Sequence, residues 1–494
     1  MTKKRLMFYK LVDFIEDKKS ESVALLSGLR ITGKTTLLLQ LKEKYGNRAI
    51  YVDTSKNVDV VDLVSDAFCD ESIKLILIDE ISYLNDYETL CQMFFNQTHK
   101  PGDVVKVVIT GSSPSHITML SSSKLGARAS LFRLPLLTFV EYLYFTGKIN
   151  NYYDYSNAIN DDFAKYLRMD GMEFSEAAEL AITFTENYFR AFYDEVEEGN
   201  RASRLTTSLI HLKENDLSNF INILAYKLSE PVTYARTVDP DIGGQEHIHL
   251  IGQKIKVKKS AVDLSDSIVQ ESAVAVGDMS ISDIGRILHF LIKSGLAALE
   301  YNRTSLDDSP ASPSDILTAL INASKKADLT NVFEKVSICM VSPLFYTRIG
   351  EEILQLKGVD ISHLYKGMLY GKMLEMYVRG AVCMLQNKTI LSTQKLDFYQ
   401  KAGEGGGDMI RLGEVDIWDK SLQLLCEITV SDKASSKVNI SKYFLEAPLI
   451  RVCTSANKDF FDNKNKHHWI PYAKFCCMLD VGDISSLQPC DGMK

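Results

Sequence analysis

The chain contains, at residues 28–35, the stretch Gly28-Leu29-Arg30-Ile31-Thr32-Gly33-Lys34-Thr35. This stretch matches the pattern G-x-x-x-x-G-K-[ST] at every defined position. An apolar run, Val23-Ala24-Leu25-Leu26, precedes it, and Thr36-Leu37-Leu38-Leu39 follows. The glycines therefore lie between a predicted buried strand and a predicted helix, which is the context that a phosphate-binding loop requires. A chance glycine turn before a helix is the less favoured alternative.

The residue types in this loop suit the binding of a nucleotide phosphate. Backbone N–H groups of the loop and of the following helix point at phosphate oxygens. Lys34 supplies a positive charge, and the Thr35 hydroxyl is a ligand for Mg²⁺. We therefore predict that ATP and Mg²⁺ are the cofactors, and that the nucleotide is contacted by Gly28, Arg30, Thr32, Gly33, Lys34, Thr35 and Thr36.

A second apolar run, residues 74–78, ends in Asp79 and Glu80. A buried parallel strand has this composition. We predict that Asp79 anchors the Mg²⁺, directly or through water, and that Glu80 is the general base that polarises a water toward the γ-phosphate. Considered alone, the pair also fits an ordinary strand end, and the upstream loop favours the catalytic interpretation.

A third predicted strand, residues 104–110, leads into Gly111 and Ser112. Because this segment follows Asp79 in the chain, we predict that Ser112 lies beside the nucleotide, although serine also simply favours turns. Arg128 is a candidate catalytic residue that would reach a phosphate in cis or across a subunit boundary of an oligomer. A solvated surface arginine is an equally good interpretation of Arg128.

The composition restricts the class of protein. The 494 residues carry a net charge of −8, which argues against a general nucleic-acid coat. We find no apolar run of about 18 residues, so we expect no membrane-spanning helix. The basic first residues are not followed by a long apolar segment, so we expect no signal peptide. The 9 cysteines include no C-x-x-C pair, which is typical of a reducing, cytoplasmic location.

The alternation of strands and helices predicts an α/β fold. Over the first 145 residues it indicates a P-loop ATPase core, in which a parallel sheet has helices on both faces. A helical and winged-helix-like middle and a C-terminal α/β domain are expected to follow. The predicted boundaries are 1–145 for the ATPase core, 146–265 for the helical segment, 266–303 for the winged-helix-like segment, 304–330 for a linker and 331–494 for the C-terminal domain.

The winged-helix-like segment is the candidate site for nucleic acid. Residues 280–296 have a helix start signal, apolar spacing and a glycine stop, and an apolar extension, residues 297–301, follows. Arg286 and Lys293 on the exposed face would make weak contact with DNA. A purely structural winged domain is as good an interpretation, because this face is thinly basic.

The C-terminal domain contains a second set of acidic residues. Residues 413–419 and 424–430 are predicted to pair as strands, which brings Asp416 toward Glu427. With Glu375 from a predicted helix, they form a candidate second metal site of the kind that cleaves phosphodiesters. The lysine expected two residues after the glutamate is replaced by Thr429, so we expect this domain to be catalytically weak or inactive.

Together these motifs resemble the prokaryotic AAA+-type ATPases that carry a C-terminal DUF4143 domain. The family pattern G-P-R-R-x-G-K-T-T-L-L is similar to Gly28 through Leu38, with Leu29 and Ile31 departing from it. Further similar stretches are Ile78-Asp79-Glu80, Ile109 to Ser113, Arg128 to Leu143, Gly371 to Glu375, Glu414-Val415-Asp416 and Glu427-Ile428-Thr429. The resemblance implies ATP binding and a restriction-endonuclease-like C-terminal domain.

The expected function is therefore a Mg²⁺-dependent ATPase that couples its nucleotide state to an unidentified protein partner or nucleic acid. Two alternatives remain open: a nucleotide-gated switch with negligible turnover, and an ATP-regulated DNA nuclease that acts through the C-terminal domain.

Overall fold

The computed structural model describes two compact units. The first ends at Leu137, and the second takes the described residues from Thr138 onward. The described residues are 3–17, 21–28, 32–56, 59–84, 87–97, 105–111, 117, 120, 125, 129–168, 235–236, 255–256, 297–303, 336–340, 343–344, 367–386, 390–401, 409–419, 422, 424–429, 449–454, 459–462 and 467–484.

The first unit is built on a five-stranded parallel sheet with the strand order β2-β3-β4-β1-β5. Its strands are β1 (Val23–Gly28), β2 (Ala49–Asp53), β3 (Leu75–Asp79), β4 (Lys106–Thr110) and β5 (Ala129–Leu134). Its helices are α1 (Leu6–Glu16), α2 (Lys34–Tyr45), α3 (Val60–Cys69) and α4 (Tyr87–Gln97), with short 3₁₀ turns at Gly46–Arg48 and Ile81–Tyr83.

The sheet of the first unit is buried on both faces. Along β1, Val23 and Leu25 pack into a core shared with α3 and α4, whereas Ala24 and Leu26 pack into a core shared with α1 and α2. Side chains alternate between the two faces of a strand, so a continuous apolar run is the pattern that such a sheet requires. The predicted parallel sheet with helices on both faces is confirmed.

The second unit contains an eight-stranded mixed sheet. Its strand order is β14-β15-β13-β12-β11-β10-β8-β9. The strands are β8 (Ala297–Arg303), β9 (Val336–Met340), β10 (Ile390–Lys401), β11 (Met409–Asp419), β12 (Leu424–Thr429), β13 (Leu449–Cys453), β14 (Phe460–Asp462) and β15 (His467–Pro471), and a separate two-residue pairing joins β6 (Ala235–Arg236) to β7 (Ile255–Lys256). The helices are α5 (Phe139–Phe145), α6 (Asp161–Arg168), α7 (Gly367–Gln386) and α8 (Tyr472–Val481).

The predicted pair of strands around Asp416 and Glu427 is present. β11 and β12 are antiparallel, with Ile417 opposite Cys426. β8 was assigned from the sequence to the winged-helix-like segment, but it lies in the large sheet, antiparallel to β9 and parallel to β10. This strand is therefore part of the large sheet of the second unit.

Residues 138–168 belong to the second unit, although the sequence placed the first of them in the ATPase core. Helix α5 begins with a capping box between Thr138 and Glu141. The next backbone donors are also occupied: Phe139 N–H donates to the Tyr377 hydroxyl over 2.6 Å, and Val140 N–H donates to Asp480 Oδ2 over 3.0 Å. A buried carboxylate at the N-terminus of a helix interacts favourably with the helix dipole.

An aromatic cluster surrounds this junction. Phe163 packs edge-on against Phe139, Tyr377 and Tyr472, with ring centroids 4.9–5.4 Å apart. Burial, and then the charge of Asp480, raise the pKa of Tyr377 well above its usual value, so its hydroxyl stays protonated and donates to Asp480.

Asn160 makes a second link between distant parts of the second unit. Its side-chain amide donates to the carbonyls of Cys453, the last residue of β13, and of Thr454, and its carbonyl oxygen accepts from Ala473 N–H over 2.9 Å. Residues 138–168 are thus fixed to the carboxyl end of β13 and to the start of α8.

Several sequence predictions fall outside the described residues. They include the helical periodicity at 174–193 and 217–228, the predicted helix at 280–296 with Arg286 and Lys293, and the linker at 304–330. None of the helices that the structure describes has the length and apolar character needed to cross a bilayer.

The buried contacts of Tyr377 predict a measurable loss of stability on removal of its hydroxyl. Tyr377→Phe leaves the Asp480 carboxylate and the Phe139 N–H each without one partner, and such losses cost about 1–3 kcal/mol. We expect the thermal unfolding midpoint of the second unit to fall by several degrees in a calorimetric scan. Tyr153→Phe, at a side chain that is 72% exposed, is the control and is expected to leave the midpoint unchanged. Equal midpoints for the two variants would contradict the assignment.

Candidate functional site

The phosphate-binding loop lies at the carboxyl edge of the parallel sheet of the first unit. It connects β1 to α2, and β1 has β4 on one side and β5 on the other. The chain order of the strands reverses about β1, and ligands of open α/β sheets bind outside the carboxyl ends of the strands at such a reversal. The fold therefore places the loop where a nucleotide site is expected.

The two glycines of the motif serve different geometric needs. Gly33 has a φ of +91°, and α2 begins at the next residue. This left-handed conformation is unfavourable for any residue that has a side chain. Gly28 allows a close approach, because a Cβ there would lie 2.9 Å from the Leu134 carbonyl oxygen at the end of β5. The loop is thus fitted against β5 at its first residue and turned into the helix at its sixth.

Lys34 and the two threonines that follow lie at the first turn of α2. The Lys34 ammonium donates to the Gly28 carbonyl oxygen over 2.7 Å, so it spans the mouth of the loop, and the side chain is only 8% exposed. Thr35 and Thr36 are exposed. A buried cation, the N–H groups at a helix N-terminus and an exposed hydroxyl are the groups that bind phosphate and its metal ion.

Asp79 is held at the end of β3 by hydrogen bonds from two neighbouring strands. Its Oδ1 accepts from the Thr110 hydroxyl over 2.5 Å, and its Oδ2 accepts from the Tyr51 hydroxyl over 2.9 Å. Asp79 is 6% exposed. Burial, and then the charge of Asp79 and the hydrogen bond to it, raise the pKa of Tyr51 well above its usual value, so Tyr51 remains a donor near neutral pH. These bonds fix the orientation of the carboxylate.

Glu80 has an unusual backbone conformation. Its φ of +63° and ψ of +51° lie in the left-handed region, and it is the only residue other than glycine with positive φ in the described part of the chain. The Thr54 hydroxyl donates to its carbonyl oxygen, and Thr54 N–H donates to the Asp79 carbonyl oxygen over 3.1 Å. Left-handed backbone at a non-glycine residue persists where the surroundings fix it, and it is frequent at functional sites.

The structure thus brings Asp79 and Glu80 to the same sheet edge as the loop. Of the other predicted contacts, Gly28 ends β1, and Thr32 and Gly33 lie directly before α2. Arg30, Ser112 and Arg128 lie outside the described residues.

Sequence reasoning missed three supporting residues. Tyr51 and Thr54 come from β2 and the turn after it, and Arg5 precedes α1 and donates to the Thr32 carbonyl oxygen over 2.8 Å. For Tyr51, the sequence offered one signal of this role: it is a polar residue in β2, the strand beside the Asp79 strand. Arg5 gave no signal, since it is 27 residues from its partner.

The acidic residues of the second unit are each engaged by the protein itself. Arg379 lies 3.0 Å from Glu375 and donates to the Asp416 carbonyl oxygen, and Ile428 N–H donates to the Asp416 carboxylate over 2.8 Å. Glu427 lies 3.1 Å from Arg451, which is 3% exposed.

This arrangement bears on the predicted second metal site. Within the residues that the structure describes, no three His, Cys, Asp or Glu side chains are grouped as metal ligands. A second metal site at Glu375, Asp416 and Glu427 stays a prediction from the sequence.

A comparison with protein-family models matches the part of the chain that contains this site. Residues 20–143 match the family described as AAA domain. This match agrees with the loop, the Asp79 strand and the parallel sheet that the structure places around them. Residues 20–143 are thus similar to the AAA domain family, and the parallel sheet with its loop after β1 is the fold of a P-loop ATPase.

Comparisons with whole proteins are less specific. The chain is similar to Uncharacterized protein MJ1637 of Methanocaldococcus jannaschii, with 28% identity over 228 residues, which cover 38% of this chain and 46% of that protein. The chain thus spans about half the length of the curated relative that it matches.

Solved structures with some likeness include a DNA replication initiation factor, with 14% identity, a TM-score of 0.24 and coverage of 67% of this chain and 92% of that one. DnaA from Aquifex aeolicus has 12% identity, a TM-score of 0.25 and coverage of 72% and 96%. Likeness at this level carries no argument about function.

The backbone at Gly33 predicts how substitutions there behave. Apart from its two chain neighbours, no atom of the described residues lies within 4 Å of a Cβ built at Gly33, so the cost of a side chain is conformational rather than steric. Gly33→Ala is expected to destabilise the first unit by about 1–2 kcal/mol, and Gly33→Asn by less, because asparagine tolerates the left-handed region. Denaturant unfolding without nucleotide measures both. Equal losses for alanine and asparagine would show that left-handed backbone is not the cause.

Proposed function

We propose that this protein binds ATP with Mg²⁺ in the site of the first unit and hydrolyses it slowly, and that the nucleotide state controls the binding of an unidentified partner. The observation that carries the proposal is the juxtaposition of the Gly28–Thr35 loop with Asp79 and Glu80 at one edge of a parallel sheet. Such an arrangement offers donors for the phosphates, a metal ligand and a base within one site.

The residues of the site fit a Mg²⁺ ion that arrives with ATP. A carboxylate has about four acceptor positions, and Tyr51 and Thr110 take one on each oxygen of Asp79, so acceptor capacity remains. Asp79 and the Thr35 hydroxyl would hold the metal, with phosphate oxygens and water as its other ligands. The bound ion supplies neutralisation of the charge on the phosphates.

The chain's own residues account for the remaining steps. Loop N–H groups and the Lys34 ammonium bind the phosphate oxygens. To do so, the ammonium gives up its hydrogen bond to the Gly28 carbonyl oxygen. A Glu80 carboxylate oxygen accepts a proton from the attacking water, and the hydrogen bond from Thr54 to the Glu80 carbonyl keeps this residue in place. Arg128 and Ser112 remain candidates for phosphate contacts on the basis of the sequence.

A nucleotide-gated switch is the main alternative, because the same site would then bind ATP without turning it over. Weak DNA contact through Arg286 and Lys293 is a further prediction from the sequence, and no described residue bears on it. The measurement of turnover separates the first two functions.

The first test is Glu80→Gln, which removes the base and keeps the size of the side chain. Hydrolysis measured as steady-state phosphate release is expected to fall by roughly a hundredfold or more, with the ATP affinity retained. Calorimetric titration with MgATP measures that affinity. No turnover in the wild type, together with tight binding, would support the switch instead.

Lys34→Ala is the matched variant for binding. It removes the ammonium that donates to the Gly28 carbonyl oxygen, so MgATP affinity is expected to fall at least tenfold, as for a lost charge-assisted hydrogen bond. Unchanged affinity in Lys34→Ala would show that this loop is not the nucleotide site.

For the second unit we propose a restriction-endonuclease-like, DUF4143-type domain that does not cleave nucleic acid. The ion pairs of Glu375 with Arg379 and of Glu427 with Arg451 support this, because a metal ion would have to displace a buried arginine from each carboxylate. Burial lowers the pKa of Arg451, and the nearby charge of Glu427 opposes that shift.

This proposal predicts that the protein leaves plasmid and linear DNA intact in Mg²⁺ or Mn²⁺, with or without ATP. Gel electrophoresis after prolonged incubation is the measurement. Asp416→Ala and Glu427→Ala serve as controls for a contaminating nuclease, since contaminant cleavage is unaffected by them. Cleavage that disappears in both variants would favour the nuclease alternative.

A further inference from the structure

Arg5 joins three segments of the first unit. Its guanidinium donates to the carbonyl oxygen of Thr32 in the phosphate-binding loop over 2.8 Å, and to those of Pro135 and Leu136, just after β5, over 3.1 and 3.3 Å. Arg5 itself directly precedes α1. The guanidinium presents its donors in a rigid plane, which suits it to hold several carbonyls in fixed relation.

The end of β5 therefore supports the loop at both of its ends. Gly28 packs against the Leu134 backbone so closely that a Cβ would lie 2.9 Å from its carbonyl oxygen. Thr32, which is 5% exposed, is tied through Arg5 to the two residues after Leu134. The first contact is made by packing, whereas the second runs through the Arg5 side chain.

The bond from Arg5 also sets the direction of a backbone donor. The Thr32 carbonyl and the Gly33 N–H belong to one planar trans peptide unit, so they point in opposite directions. With the carbonyl held toward Arg5, the Gly33 N–H is turned away from it. Gly33 has no Cβ and adopts a φ of +91°, a region that is open to glycine, so rotation of this peptide meets little intrinsic resistance.

From these contacts we infer that Arg5 is a positioning residue for nucleotide binding: it holds the Thr32–Gly33 peptide with its N–H turned toward the phosphate side of the loop. This role rests on the proposed ATP site and adds to it a residue outside the motif. Arg5 does not touch the nucleotide in this role. It lowers the free-energy cost of ordering the loop, which would otherwise be subtracted from the binding free energy.

The packing of α1 against α2 fixes the position of the segment that carries Arg5. Leu11 and Phe14 of α1 lie in the same core as Leu37 and Leu41 of α2. The Gln40 side chain of α2 also donates to the Lys3 carbonyl oxygen over 3.5 Å. The segment that carries Arg5 is thus fixed to the helix that follows the loop.

The test compares three variants of the full chain by calorimetric titration with MgATP. Arg5→Met removes the charge and the hydrogen bonds to the three carbonyls. Its Kd for MgATP is expected to rise on the order of tenfold, as for the loss of a hydrogen bond from a charged group. Arg5→Lys keeps the charge but cannot hold three carbonyls, so its Kd is expected to rise by roughly threefold. Lys10→Met removes one charge from the exposed face of α1 and is expected to change Kd by less than about twofold.

A second readout separates positioning from a loss of folding. A variant with an irreversibly unfolded fraction binds with unchanged Kd and reduced stoichiometry, whereas a misplaced loop raises Kd at full stoichiometry. A thermal melt of each variant checks that reversible unfolding, which would also raise the apparent Kd, is not populated at the titration temperature. Phosphate release at saturating ATP is expected to fall by less than about threefold, because Arg5→Met leaves Asp79 and Glu80 in place. If Arg5→Met does not fold, the Arg5→Lys affinity decides.

The outcomes distinguish this role from the function on which it rests. Wild-type protein that does not bind MgATP would overturn the proposed function and this role with it. Wild-type binding that is unchanged in Arg5→Met and Arg5→Lys would overturn the role of Arg5 alone. An equal loss in Lys10→Met would show that net charge, not the held peptide, determines affinity.

Discussion

The burial of β1, β3 and β4 on both faces is the constraint on which the nucleotide site depends. Residues of these strands contact apolar cores above and below the sheet, so polar groups are confined to the strand ends. Because the strands are parallel, their carboxyl ends meet at one edge, and the loop, Asp79 and Thr110 are gathered there. The position of the site follows from where apolar side chains are required.

Once at this edge, the polar side chains are fixed mainly by one another. Tyr51 is opposite Leu77 in the register of β2 and β3, and its hydroxyl reaches two residues further along to Asp79. Thr110 reaches the same carboxylate from β4. A buried carboxylate held from both sides has a defined orientation before any ligand binds, which is the preorganisation that favours both affinity and catalysis.

The sequence predicted the parts of this structure that local patterns encode. Continuous apolar runs identified β1, β3 and β4, and the glycine and lysine spacing identified the loop. The strand pair around Asp416 and Glu427 was also predicted, because its two apolar runs are adjacent in the chain.

Contacts between distant residues were not predictable in this way. Arg5 lies 130 residues from Pro135, and Asn160 lies 313 residues from Ala473, so neither leaves a periodic signal. Helix α5 lies within the predicted core, residues 1–145, and its first backbone donors bind Tyr377 and Asp480, which no local pattern signals.

The hydrogen bond from Val140 N–H of α5 to Asp480 determines when α5 can reach its folded position during synthesis. The five strands of the first sheet are complete once β5 has been synthesised, so that sheet can form early on the ribosome. Val140, by contrast, must wait for a partner 340 residues later, which at ordinary translation rates is roughly 20–70 s. During that interval the rings of Phe163 and Tyr166 have not met their partners in α7 and α8. The nascent chain therefore carries a folded sheet followed by an exposed aromatic segment, a state in which chaperone binding would protect it from aggregation.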